Sequence, residues 1–244
     1  MSKFIEKLKQ VFQPTLSPMG FGARKAETAR PKLQLAAILA NSVTEPLPAA
    51  DAVIVNRAKA ATEGALWGIT LKKGDLTEVD KATEAGADFA ILPSAGAVLP
   101  ADRKIGKILQ ISPAVTDVLL RTANDLPVDA ILLAEDKENG AEITWNKLML
   151  CQRFAGMVQK PVLVPVPLAA TAPELQLVWE TGVSGVVVEI KEPADAAALT
   201  ALREKIDSLQ YPSRKRKDRL TAVLPQVAPA KESEDEEPDE DDDD

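Results

Sequence analysis

Three places in this sequence set ionisable side chains against apolar runs, where proton transfer or anion binding becomes chemically accessible. Glu189 stands inside the otherwise apolar run VVVEI. A carboxylate there must reach an open mouth or meet Lys191, because burying it unpaired is costly. Lys72 and Lys73 follow the run LWGITL directly. A lysine that is desolvated, or set beside another cation, has a lowered pKa and can form a Schiff base or clamp an anion. Two lysines facing solvent are the plain alternative. Glu135 and Asp136 follow DAILLA. One of them can act as a general base, or the pair can help hold Mg²⁺, against the alternative of a solvated loop in EDKENG. Of these, Glu189 is the preferred candidate.

Missing residue types narrow the chemistry. The 244 residues contain no His, so the commonest general base near neutral pH and the commonest metal ligand are both absent. Ser-His-Asp and Cys-His hydrolases and His-dependent zinc sites are excluded. The single Cys, Cys151, cannot form an internal disulfide, which suits a reducing compartment. It lies in an expected helix, where a buried inert thiol is the ordinary reading. Aromatic residues make up 4%, too few for a sugar-stacking or base-stacking platform. Nothing points to nicotinamide, flavin or zinc.

The net charge of −8 is an average over unlike parts. Residues 231–244 carry eleven acids and one Lys, a charge of −10, whereas the other 230 residues carry 28 basic and 26 acidic groups, a charge of +2. The body is therefore nearly neutral and offers no broad basic field for nucleic acid. No apolar run approaches the roughly 18–20 residues that span a bilayer. No secretory signal is recognisable at the N-terminus, so a cytoplasmic protein is expected.

These candidate groups need a frame to hold them. Residues 3–13, KFIEKLKQVFQ, put Phe4, Ile5, Leu8, Val11 and Phe12 on one helical face. That face would cover the core or a neighbouring subunit, or dock on a partner protein or a membrane surface. Residues 14–32 are punctuated by Pro and Gly and read as a linker, so 1–32 form an N-terminal helix and linker. Eight apolar runs follow at 33–39, 51–56, 66–71, 88–93, 107–112, 129–134, 161–166 and 185–190. Each is too apolar for a strand with one wet face and suits a parallel strand covered on both sides. Helix signals separate most of them. Asp75 and Glu78 form a capping-box pattern, with Gly86 at the helix end. Ser112-Pro113 reads as a cap ahead of Val115, Val118, Leu119 and Thr122. Thr144 can cap a longer helix, Thr171 and Glu174 frame another, and Leu199, Leu202, Ile206 and Leu209 stripe a last one. Strands alternating with helices in this way predict a compact (β/α)₈ TIM-like barrel over 33–210, with abbreviated early helices. An open doubly wound sheet is the alternative. Residues 211–244, a basic cluster and then an acidic run, read as a disordered tail.

A helix ending in EAGAD, followed by an apolar strand and repeated around eight strands, resembles the aldolase-type (β/α)₈ barrel superfamily. Many members bind a phosphate with Gly-rich loops after the seventh and eighth strands. Here those loops read VPVPLAATAPE and VVEIKEPAD, with no Gly, so the resemblance does not extend to an ordinary sugar-phosphate or flavin site. It implies that catalytic residues lie just beyond the C-terminal ends of the strands. That rim comprises Asn41, Ser42, Asn56, Arg57, Lys72, Lys73, Ser94, Ser112, Glu135, Asp136, Glu189 and Lys191. Glu189, Glu135 and Lys72 are the catalytic candidates, and Arg57, Lys191, Asn56 and Ser94 the substrate-binding ones. Asp136 with Glu135 is the metal candidate.

Two functions fit. One is an enzyme of lyase, aldolase or isomerase type, acting on a small anionic metabolite by carboxylate acid–base chemistry, with Mg²⁺ as its candidate cofactor. A carboxylate replaces the absent His if burial raises its pKa. The other is a non-catalytic barrel serving as a binding or scaffold protein through its N-terminal helix and charged tail, with a homo-oligomer or a protein partner as its candidate assembly.

Overall fold

The computed structural model describes residues 2–12, 32–39, 47–56, 66–71, 76–96, 104–135 and 141–211. Each of the eight apolar runs forms a strand: β1 (Gln34–Leu39), β2 (Ala52–Val55), β3 (Trp67–Thr70), β4 (Phe89–Pro93), β5 (Gly106–Ile111), β6 (Ala130–Leu133), β7 (Val162–Pro165) and β8 (Gly185–Ile190). They pair in parallel and in sequence order, and β1 closes on β8. The closed barrel rules out the open sheet. Helix α1 (Lys3–Phe12) precedes it, and α2 (Leu76–Glu84), α3 (Asp117–Thr122), α4 (Trp145–Met157), α5 (Ala172–Glu180) and α6 (Asp195–Ser208) follow β3, β5, β6, β7 and β8. No described helix follows β1, β2 or β4. Their connections run mostly through 40–46, 57–65 and 97–103, outside the described residues. The expected linker, nearly all of the tail and Asp75 also lie outside them.

The strands are mostly apolar because the barrel has two cores. Alternate residues point in and out along a strand. The outward set, such as Val53, Ile69, Ile131 and Val186, packs with Val79, Leu120, Phe154, Val178 and Leu202 of the surrounding helices. The inward set, including Ala36, Ile54, Phe89, Ile91, Ile108, Leu132, Leu163 and Val187, fills the lumen. A closed lumen of this kind is packed solid rather than hollow.

Helix α1 belongs to the inner core. Phe4, Ile5 and Leu8 are buried among the lumen residues, and the Phe4 ring stacks on Phe89 at 4.9 Å between centroids. Fully burying each such side chain is worth about 1.5–3 kcal/mol. Its approach requires glycine at the foot of β5: a Cβ on Gly106 would lie 2.7 Å from the Ser2 Cβ. The floor is also tied down polarly. The foot of each of three even-numbered strands carries an aspartate: Asp51, Asp88 and Asp129. Asp88 accepts the backbone N–H groups of Lys3 and Phe4, both at 2.8 Å, and the Ser2 hydroxyl at 2.6 Å. It thereby caps a helix 85 residues away in sequence. Lys7 pairs with Asp51 at 3.8 Å and Lys9 with Asp129 at 3.4 Å. The barrel lumen is thus stoppered at its N-terminal end.

Local signals account for several helix ends. Gly86 adopts a φ of 88°, the left-handed conformation that ends a helix at little cost to glycine. The Thr144 hydroxyl accepts the Lys147 N–H at 3.2 Å, as expected of a cap. One helix departs from expectation. The α3 cap is Thr116, accepting from the Leu119 N–H, whereas the Ser112 hydroxyl accepts the Ala114 N–H and makes a turn. Arg153 explains the shift, since its guanidinium takes the carbonyls of Pro113 and Val115 and the Asp117 carboxylate. Those contacts hold residues 113–116 in a turn ahead of the helix. In α3 Leu120 is buried, while Val118 and Leu119 stand 73% and 61% exposed.

Candidate active site

At the C-terminal mouth the pleat decides which residues line the opening. On β8, Val187 faces the lumen, so Glu189, two residues on, shares that face. It is exposed, and its carboxylate lies 3.3 Å from the Lys191 ammonium. The side chains of the pair are 52% and 70% exposed. Both expected outcomes for Glu189 therefore hold together: it stands at the mouth and it meets Lys191.

The same alternation places Thr70 above Gly68, Gln110 above Ile108 and Pro165 above Leu163, all half-buried in the throat. Thr70 and Gln110 add hydrogen-bonding groups that the rim reading missed. The signal for Gln110 was available, since a polar residue at an inward position of KILQIS is the same anomaly that marked Glu189. On β6 the lumen face continues from Leu132 to Ala134, and Glu135 steps off it into an exposed position. Asn56 is half-buried at the end of β2. Ser94 is exposed in the turn after β4, where its backbone N–H donates to the Gln110 carbonyl at 3.0 Å. Arg57, Lys72 and Asp136 lie outside the described residues, as do Asn41, Ser42 and Lys73. Strand alternation thus puts Glu189, Thr70 and Gln110 on the lumen face at the C-terminal end of the barrel, where Glu189 meets Lys191, with Asn56 at the end of β2.

The loops after β7 and β8 are fully described and have a common design. After β7, the Glu174 carboxylate reaches back to accept both the backbone N–H and the hydroxyl of Thr171, each at 2.8 Å. After β8, the Asp195 carboxylate accepts the backbone N–H groups of Lys191 at 2.9 Å and Glu192 at 3.1 Å. These bonds favour the ionised forms. Glu174 is held below the ordinary carboxylate pKa chiefly by the Thr171 backbone N–H, and Asp195 chiefly by that of Glu192.

Among the described residues, no group of three or more acidic or Cys side chains could hold a metal ion. Glu135 brings one carboxylate to the rim, and its proposed Mg²⁺ partner Asp136 lies outside the description. Cys151 is buried on α4 and takes no part in the mouth; burial pushes its thiol up to about 11. A cleft of about 440 Å³ lies at the opposite end, between α1 and the feet of β5 and β6. No described helix is long and apolar enough to cross a membrane.

Solved structures share this architecture. A mutant tryptophan synthase α-subunit from the hyperthermophile Pyrococcus furiosus is 14% identical, over 73% of this chain and 98% of its own, with a TM-score of 0.52. The 3-keto-L-gulonate-6-phosphate decarboxylase of Vibrio cholerae is 14% identical, over 74% and 100%, with a TM-score of 0.54. At such identity the likeness establishes the aldolase-type (β/α)₈ fold and nothing finer. No protein-family model matches the chain, and no curated protein matches it in sequence.

Proposed function

We propose that this aldolase-type barrel is an enzyme of lyase, aldolase or isomerase type, acting on a small anionic metabolite by carboxylate acid–base chemistry at the C-terminal mouth. The observation that carries the reading is the Glu189–Lys191 pair, set at the opening above a sealed apolar lumen. A carboxylate so placed can take a proton from a carbon next to a carbonyl. The C–H bond breaks, its electron pair forms the C=C bond of an enolate as the carbonyl π pair moves onto oxygen, and the proton goes to a Glu189 carboxylate oxygen. The Lys191 ammonium, as a point charge, meets the developing oxyanion. Thr70 and Gln110 would orient the substrate from below, with Asn56 and Ser94 at the edge. Arg57 and Lys72 complete the proposal as anion-holding cations, and Glu135 with Asp136 as the Mg²⁺ candidates.

The testing experiment is native mass spectrometry of the purified protein against its denatured mass. A retained metabolite that disappears in Glu189→Gln supports the reading and identifies the ligand class. A metabolite retained equally by Glu189→Gln sinks it.

A second reading, a non-catalytic binding or scaffold barrel, is favoured by one observation. Val118, Leu119, Trp145, Met149 and Leu177 are exposed on α3, α4 and α5, with Trp145 at 77%, and clustered exposed apolar residues mark interaction sites. The apolar face of α1 is packed into the barrel floor, so this reading now rests on the α3–α5 surface and the charged tail. A bare, stable oligomer in the same spectrum that dissociates in Trp145→Ser would favour it.

A further inference from the structure

Resting on the reading of the mouth as a ligand site, we propose that its ligand carries no phosphate group, and that Asp195 is the specificity-determining residue that excludes one. Barrels of this fold that bind phosphate do so with backbone N–H groups of the loops after the seventh and eighth strands and a nearby helix N-terminus. Every such donor must have a partner, so its availability can be counted.

In the loop after β7, Pro165 and Pro167 have no N–H to offer. The Val166 N–H donates to the Val187 carbonyl at 2.9 Å, that of Ala170 to the Pro167 carbonyl at 3.1 Å, and that of Thr171 to Glu174. In the loop after β8, the N–H groups of Lys191 and Glu192 both go to Asp195. Pro193 has none, and Asp195 and Ala196 donate to the carbonyls of Glu192 and Pro193. Leu168, Ala169 and Ala194 remain in the loops, with Ala172 and Ala197 in the first turns of α5 and α6, spread over separate elements. A phosphate needs several convergent donors, and here a carboxylate of the chain already sits on them. A dianion arriving at this edge would also face the Asp195 carboxylate, which its backbone N–H bonds hold in the ionised form.

Substrate charge must then be met by single side-chain cations at the mouth, such as Lys191. With the loop donors taken by Glu174 and Asp195, the ligand class is a small carboxylic acid whose carboxylate meets Lys191.

Titration of the isotope-labelled full chain with inorganic phosphate, followed through its backbone amide resonances, tests this. The wild-type protein is expected to show no saturable shift at Lys191 and Glu192, while Asp195→Ala gains one at both amides. Saturable wild-type binding there, or a phosphorylated metabolite retained in native mass spectrometry, overturns the proposal without any variant having to fold. A folded Asp195→Ala that gains no phosphate shift overturns the role of Asp195. If the phosphate results come out as expected while Glu189→Gln leaves a bound metabolite in place, the reading of the mouth fails and the closure of the loops stands.

Discussion

The Ser2 hydroxyl donates to the Asp88 carboxylate at 2.6 Å, joining the start of the chain to the foot of β4. With the Lys3 and Phe4 N–H groups on the same carboxylate, Asp88 does for α1 what an N-cap residue normally does from within the helix. Losing a cap costs about 0.5–2 kcal/mol. For a chain of this size each kcal/mol lowers the thermal midpoint by about 2–4 °C. Asp88→Ala is therefore expected to melt several degrees lower and to expose the amides of residues 3–8 to faster hydrogen exchange. Unchanged exchange in α1 would show that its apolar packing alone seats it.

Asp51 couples the floor to the last helix. It accepts the Leu35 N–H at 2.9 Å and the Arg203 guanidinium at 2.7 Å, with Lys7 at 3.8 Å. Its side chain is only 16% exposed, and that of Arg203 24%. Hydrogen bonds to charged groups contribute about 1.5–3 kcal/mol when partly buried. Asp129 likewise accepts a backbone N–H, that of Lys107 at 3.0 Å, but its pair with Lys9 is far more exposed and worth about 0–1 kcal/mol, so Asp51→Ala, which also loses the Arg203 bond, should cost more in a urea melt than Asp129→Ala. Equal losses would refute this ranking.

Cys151 should be unreactive in the native protein. Its thiol pKa is raised by burial to about 11, and its side chain is fully enclosed in the outer core. Only the thiolate attacks a disulfide reagent. At pH 8 the native chain should release no chromophore from such a reagent until denaturant is added, at which point one thiol per chain should react. Prompt stoichiometric labelling without denaturant would contradict the burial.

Acid stability should report the loops after β7 and β8. Glu174 and Asp195 both have folded pKa values below their ordinary 4.5 and 3.8. A depressed carboxylate contributes fully above its unfolded pKa and loses that contribution as pH falls through the lower folded value. Glu174→Gln and Asp195→Asn should therefore flatten the acid limb of the midpoint-versus-pH curve below about pH 4.5. Both groups are exposed, so the effect near neutrality should be small. Acid limbs that superimpose on wild type would remove these carboxylates from the account.

Much of the barrel was legible because its strands are covered on both faces, which writes them as short continuous apolar runs set off by turn residues. The stripe Phe4, Ile5, Leu8 and Val11 announced a buried helix, but not that it would stopper the lumen. That placement depends on Gly106 and Phe89, which carry no such message in isolation. The aspartates at 51, 88 and 129 recur visibly before three strands, yet their partners lie across the barrel and only closure brings them together. Thr116 displaced Ser112 as a cap because Arg153, from another helix, holds the intervening turn. At the mouth, Glu189 stood out as an acid in an apolar run, and Gln110 carried the same signal more quietly as a neutral amide. Which candidates converge depends on the βα connections, where sequence patterns are weakest.

The stoppered floor has a consequence for synthesis. Helix α1 is made before every partner it has: its cap at the foot of β4, its ion-pair partners before β2 and β6, and its seat against Gly106 emerge later. The apolar stripe of Phe4, Ile5, Leu8 and Val11 therefore waits, unpartnered, while about 120 further residues are made, and such non-local contacts form slowly. The nascent chain thus carries an exposed sticky helix that a chaperone would meet before the barrel does.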